Sequence, residues 1–236
     1  MFRCRSKIKK NCVGDEMFKS VTFYTDKLKA LKRFYGNVLE LNIVEATNEK
    51  FTVQIGESSI VFKQSNRNAF YHFAINIPGN QFSMMKDWIQ NRIILNRENG
   101  RNEVYFRSFD ADSMYFEDPA GNVIELIGRR KKDLFGDLSV ASFLNISEVS
   151  ITTPNVALVG EELQDFGIPL FGSSNIVPDE LNFLGKGDTF IVLVPPGRRW
   201  YFSKKISETH PLEIIFKDER KIHINEEGEI SYFNEG

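Results

Sequence analysis

The stretch YFEDPAGNVIELIG, Tyr115 to Gly128, carries two strand signatures joined by a turn. In Asp118-Pro119-Ala120-Gly121-Asn122 the proline fixes φ, the glycine tolerates positive φ, and Asp and Asn bond to nearby backbone. Ser113 to Glu117 and Asn122 to Ile127 flank that turn and are predicted as paired strands. Upstream, Tyr71 to Ile77 reads as a strand ended by Pro78-Gly79-Asn80. Gln81 to Ile93 follows with Phe82, Met85, Trp88 and Ile89 on one helical face, and Asn102 to Phe109 supplies a further strand. The order is strand, helix, three strands.

The same order precedes it. Phe18 to Tyr24 is rich in β-branched and aromatic residues. Asp26 is placed to cap a helix whose apolar positions Leu28, Leu31, Phe34, Tyr35 and Val38 recur at three- and four-residue spacing. Gly36 falls inside that pattern and marks a weakening or the helix end. Strands are predicted over Leu41 to Ala46, Lys50 to Ile55 and Ser59 to Lys63. Two βαβββ units thus lie end to end, an internal repeat of about fifty residues. A third begins with a strand at Ile146 to Thr152 and a helix at Asn155 to Phe166, with strands at Leu181 to Leu184 and Thr189 to Val194. Strands at Leu212 to Lys217, Lys221 to Ile224 and Glu229 to Phe233 follow without a fourth helix, so the second half reads as a worn copy of the first.

These observations predict an α+β protein of paired βαβββ modules, the first two sharing one curved, mostly antiparallel sheet arrangement, with a second degenerate copy. The expected divisions are a disordered extension over 1–17, a two-module domain over 18–130, a polar linker over 131–143 and a reduced domain over 144–236. Of 236 residues 42% are hydrophobic, enough for a core, and 21 are Phe. Thirty Lys and Arg against 32 Asp and Glu give a net charge of -2, which argues against a nucleic-acid partner. Cys4 and Cys12 cannot build a disulfide framework or a four-cysteine zinc site, which fits a reducing cytoplasm. No apolar run reaches the roughly 18 to 20 residues of a membrane span, and the basic N-terminus lacks the apolar region of a secretory signal.

With its paired units, YFEDPAGNVIELIG resembles the vicinal oxygen chelate superfamily of glyoxalases, extradiol ring-cleaving dioxygenases, and fosfomycin- and bleomycin-resistance proteins. TDKLKALKRFYGNVLEL, Thr25 to Leu41, resembles that family's first helix, where a Phe-Tyr pair precedes Leu-Gly-Leu; here Glu40 stands where glycine is usual. The resemblance covers Phe18 to Arg130 and is fainter over Ile146 to Gly236. It implies a cup in which side chains from opposed strands of two units hold a divalent metal, Fe, Mn, Ni or Zn. The family's second-unit histidine falls on His72 and its last-strand glutamate on Glu125, the implied metal ligands. Its first-strand histidine falls on Ser20, a poor metal ligand, so at least one ligand is missing. Tyr115 falls where ring-cleaving members place an active-site tyrosine, which makes Glu125 and Tyr115 the implied catalytic residues.

Each residue also has a plainer reading. His72 suits a buried histidine bonded to a neighbour, Glu125 a buried carboxylate paired with Arg107, and Tyr115 an ordinary strand aromatic. No P-loop or dinucleotide fingerprint is present, so no organic cofactor is expected. The resemblance therefore implies two functions. One is a metal-dependent lyase or dioxygenase acting on a small molecule, with neither efficient glyoxalase nor catechol-cleaving turnover. The other is a metal-free binding protein of the resistance type. Units of this family pair within a chain or across a homodimer.

Overall fold

The computed structural model describes residues 18–233; the basic segment over 1–17, with both cysteines, lies outside the described residues. The first unit is β1 (Phe18–Thr25), α1 (Leu28–Arg33), β2 (Ile43–Ala46), β3 (Lys50–Ile55) and β4 (Ser58–Gln64). Asp26 does not cap α1; its carboxylate meets Lys27 Nζ at 3.0 Å instead. The helix runs on through a π-helical turn, Phe34–Val38, which contains Gly36 and closes with the Leu39 N–H donating to the Phe34 carbonyl at 3.0 Å. Glu40 then takes φ of 53°, the left-handed conformation that glycine adopts without strain.

The second unit is β5 (His72–Pro78), α2 (Phe82–Gln90), β6 (Val104–Phe106), β7 (Ala111–Glu117) and β8 (Val123–Arg129). The third is β9 (Asn145–Thr152), α3 (Val156–Asp165), β10 (Leu170–Phe171), β11 (Asn182–Lys186) and β12 (Thr189–Val194). Only β13 (Leu212–Phe216), β14 (Lys221–Ile224) and β15 (Ile230–Phe233) remain of a fourth. Among the described residues none of the three helices is long and apolar enough to cross a membrane.

The strands form two curled sheets, ordered β15-β14-β13-β1-β4-β3-β2 and β10-β11-β12-β9-β5-β8-β7-β6. In each complete unit the last strand lies parallel to the first, β4 on β1, β8 on β5 and β12 on β9, and the other ladders are antiparallel. The first strand keeps one open edge, which must be paired or covered. Here the structure corrects the sequence reading. Units one and two do not share a sheet: β5 closes on β9 of the third unit, and β1 on β13. The pattern along a strand says which face is buried, not which edge closes on which. Residues 131–143 therefore join two halves of one sheet.

One apolar core fills the space between the sheets. Val21 and Phe23 of β1 meet Phe73, Ile75 and Ile77 of β5 there, and the Phe23 and Phe73 rings stack at 5.1 Å. Truncating a ring so buried costs about 3–5 kcal/mol. The apolar faces of α1, α2 and α3 bury Leu31, Met85, Ile89, Val159 and Leu163 in the same core. Strand alternation then turns the remaining side chains of each sheet to its opposite, concave face.

The DPAGN turn is a fastening between units. Asp118 accepts from the backbone N–H groups of Ala120 (2.9 Å) and Asn122 (3.1 Å), from Asn122 Nδ2 (2.7 Å) and from the Tyr35 hydroxyl (2.9 Å). Asn122 Oδ1 in turn accepts from the Tyr71 N–H at 2.8 Å, beside the start of β5. Burial pushes the Asp118 carboxyl up to about 6, against the pull of these donors.

Candidate metal centre

On β5 the residues that turn away from the core are His72, Ala74 and Asn76. Ala74 stands between two glutamates, Glu125 across the parallel ladder to β8 and Glu148 across the antiparallel ladder to β9. Its side chain is only a methyl group, so the two carboxylates converge above it with His72 two positions along the same face. One ligand atom from each of His72, Glu125 and Glu148 lies within 4.8 Å of the other two. His72 Nε2 is 3.8 Å from Glu125 Oε2. All three residues are buried.

The imidazole is fixed in one tautomer. Its Nδ1 lies 3.0 Å from the Val123 carbonyl, which can only accept, so Nδ1 carries the proton and Nε2 turns a lone pair to the carboxylates. Burial lowers the His72 pKa to about 4, against the pull of that hydrogen bond, so the ring is neutral near pH 7.

The glutamates shift the other way. Burial raises Glu125, while the Ser113 and Tyr115 hydroxyls and Arg129 pull it back. Burial and then the charge of Glu125 raise Glu148, against Arg129. The nearby cation is thus Arg129, not Arg107, which is exposed. Arg129 Nη2 stands 4.0 Å from Glu148 Oε1, and its other donors go to Asn76 Oδ1 (3.1 Å) and Ser147 Oγ (3.0 Å) on the floor of the cup. One guanidinium faces two buried carboxylates, so ionising both requires another cation. A neutral imidazole and two carboxylates are a donor set that divalent Fe, Mn, Ni and Zn accept, so the residues fit the metal that the resemblance implies.

A cavity of about 450 Å³ opens beside this cluster. Tyr115, opposite Glu125 on β7, lines it together with Val192 of β12. The segment after β12 covers one side: the Trp200 ring lies 4.7 Å from His72, and Phe202 stacks on Tyr115 at 4.8 Å. Burial first, and then the charge of Glu125, raises the Tyr115 hydroxyl well above its ordinary value, so it stays protonated.

The structure therefore brings His72, Tyr115 and Glu125 together in one cup. Ser20, where the resemblance puts the family's first-strand histidine, lies elsewhere, on β1 in the other sheet, so that position does not belong to the same cup as His72 and Glu125. The third ligating side chain beside the pair is Glu148. The signal for it lay in the sequence: His72 precedes Pro78 by six residues, and Glu148 precedes Pro154 by six. Neither remaining histidine joins the site: His210 packs edge-on to Phe70 and Tyr71, and His223 lies on β14.

Comparison with known proteins agrees with this architecture. The profile of a family described as toxoflavin-degrading enzyme matches residues 146–198, from the start of β9 to just past β12. A putative dioxygenase structure from Bacillus subtilis subsp. subtilis str. 168 superposes with a TM-score of 0.55 at 14% identity, covering 75% of this chain and 63% of that one. A glyoxalase I variant from Zea mays gives a TM-score of 0.51 at 14% identity, covering 80% of this chain and 69% of that one. No curated protein matches the chain by sequence. With βαβββ units closing pairwise into two curled sheets, the chain has the fold of the vicinal oxygen chelate superfamily.

Proposed function

We propose that this protein is a metal-dependent enzyme of the glyoxalase and dioxygenase type, holding a divalent ion on His72, Glu125 and Glu148. The convergence of three buried ligand atoms within 4.8 Å, with one arginine against two carboxylates, carries the reading. A bound ion there supplies Lewis acidity toward a substrate oxygen and leaves coordination positions for it. The Val123 carbonyl holds the His72 proton at Nδ1 and so keeps Nε2 available. Arg129 steadies Glu148 from the floor. Tyr115, protonated near pH 7, can donate to Glu125 or to an oxygen of the small molecule. Trp200 and Phe202 keep water from the near side of the cluster.

Two carboxylates beside a cavity suit the moving of a proton next to a stabilised oxyanion. Ring cleavage needs an acid–base histidine near the metal, and among the described residues none accompanies His72. Lyase or isomerase chemistry is therefore the better reading within the family.

Metal analysis of protein purified without chelators, followed by Mn(II) and Zn(II) titration of His72→Ala and Glu148→Gln, tests the proposal. One ion per chain is expected, with affinity falling at least about tenfold in each variant. Wild-type protein that binds no ion while its cavity still takes small molecules would favour the metal-free binding alternative.

A further inference from the structure

Three arginines line the cavity, and two of them are engaged. Arg129 is committed to the floor as described. Arg199 is bonded to both Glu98 carboxylate oxygens, at 2.8 and 3.0 Å. Arg198 is different: it is exposed at the rim, and among the described residues no carboxylate lies within salt-bridge reach of it.

Its position is nevertheless built. The Arg198 N–H donates to Ser207 Oγ at 3.0 Å, and its carbonyl accepts from the Ser207 N–H at 2.7 Å. The Ser207 hydroxyl itself donates to the Pro195 carbonyl at 2.7 Å, and Ser207 is buried. The backbone of the turn that carries Arg198 is thus held in place just past β12, with the side chain exposed at the mouth of the cavity.

Aromatic side chains supply much of the remaining wall. Phe109 and Phe183 meet at 5.0 Å, and Phe106 and Tyr201 at 6.1 Å. Such surfaces reward a planar conjugated guest more than a saturated one. The charge pattern also gives the guest a direction. In the metal-free cup an acidic group at the floor would meet Glu125 and Glu148, and in the metal-loaded cup the open positions there go to the reacting oxygen; at the rim the acid meets the Arg198 guanidinium, which binds carboxylate or phosphate through paired donors.

We infer that the cup selects planar aromatic acids, with the ring against the aromatic wall and the acidic group paired with Arg198 at the rim. This rests on the reading of the cup as the small-molecule site and makes Arg198 a specificity determinant.

Calorimetric titration of the full chain tests it with three probes: 2-naphthoate, its neutral amide and the ring-saturated decahydro acid. Each is run with the protein metal-free and Mn(II)-loaded. The acid is expected to bind about tenfold or more tighter than the amide, from one charge-assisted pair, and tighter than the saturated acid. Arg198→Gln should bring the acid down to the level of the amide and leave the affinities for amide and Mn(II) unchanged. Equal affinity of acid and amide, no binding of 2-naphthoate, a saturated acid that binds as well, or an equal loss for both ring probes in Arg198→Gln would each overturn the inference. The Mn(II) titration is read separately. Lost metal binding with intact discrimination removes the metal reading alone, and lost discrimination on protein that binds Mn(II) removes this inference alone.

Discussion

Glu213 holds in the first sheet the place that Glu148 holds in the second. Glu213 faces Thr22 across β1 and β13 as Glu148 faces Ala74 across β5 and β9. Their surroundings differ. Glu213 Oε1 accepts from the Tyr24 hydroxyl at 2.7 Å and from Lys63 Nζ at 3.1 Å. Partial burial raises its pKa, but these partners outweigh it and the net shift is downward. Val61 stands where the second sheet has Glu125. At these matched positions the first sheet carries one carboxylate beside a lysine, and the second carries two facing one arginine.

That deficit sets a pH dependence for the metal-free protein. Unfolded glutamates lose their protons near pH 4.3, while the buried pair holds them higher. The native state therefore binds more protons above that pH, and stability falls as pH rises through the raised values. In chelator, Glu148→Gln should melt higher than wild type at pH 8, by about 1–3 kcal/mol or roughly 2–10 °C, with the gap closing toward pH 5. Thermal melts across that range measure it, and equal melting at pH 8 would contradict the assigned burial.

Ligand geometry gives a second expectation. Ala74 faces Glu125 on β8, and Ser150, two residues past Glu148, faces Val192 on β12. Val192 therefore holds the place of a fourth ligand. Val192→His should raise Zn(II) affinity about tenfold or more, whereas Ser20→His, in the other sheet, should leave it unchanged. A rise with Ser20→His would contradict the strand pairing.

Glu40 offers a gain in stability. Its left-handed φ of 53° is strained for a side chain, and its contact with Arg92 at 3.2 Å is exposed. Glu40→Gly should stabilise the chain by about 0.5–1 kcal/mol in urea unfolding.

The DPAGN turn offers a loss. Asp118→Ala leaves buried N–H groups and the Tyr35 hydroxyl without their acceptor and should cost about 2–4 kcal/mol, while Tyr35→Phe should cost about 1. Equal effects from the two would mean that the backbone donors find other acceptors.

Much of this was legible in the residues. Period-two alternation and turn chemistry located β3, β12 and β14 to the residue, and the resemblance carried by the turn motif led to Glu125. Strand partners were not legible, because an edge that closes on β9 reads the same as one that closes on β1. That ambiguity is why Ser20 was assigned to the wrong cup and Glu148 was passed over as a strand residue. The two-residue β10 went unread because so short a segment carries no period. Asp26 had the chemistry of a helix cap but turns its carboxylate to Lys27, which the one-dimensional pattern cannot specify.

The pairing of β1 with β13 around that of β5 with β9 is a nested closure, like one pair of brackets inside another. Chains leave the ribosome from the N-terminus, so the inner pair is complete once β12 has emerged. β1, whose Val21 pairs with Ile214, still waits for its neighbour. A nascent chain can therefore hold His72, Glu125 and Glu148 in a finished sheet, before Trp200 and Phe202 cover them, and a bare strand edge at the same time. During that interval the hazard is another chain adding itself to β1, and β13 is the piece that ends it.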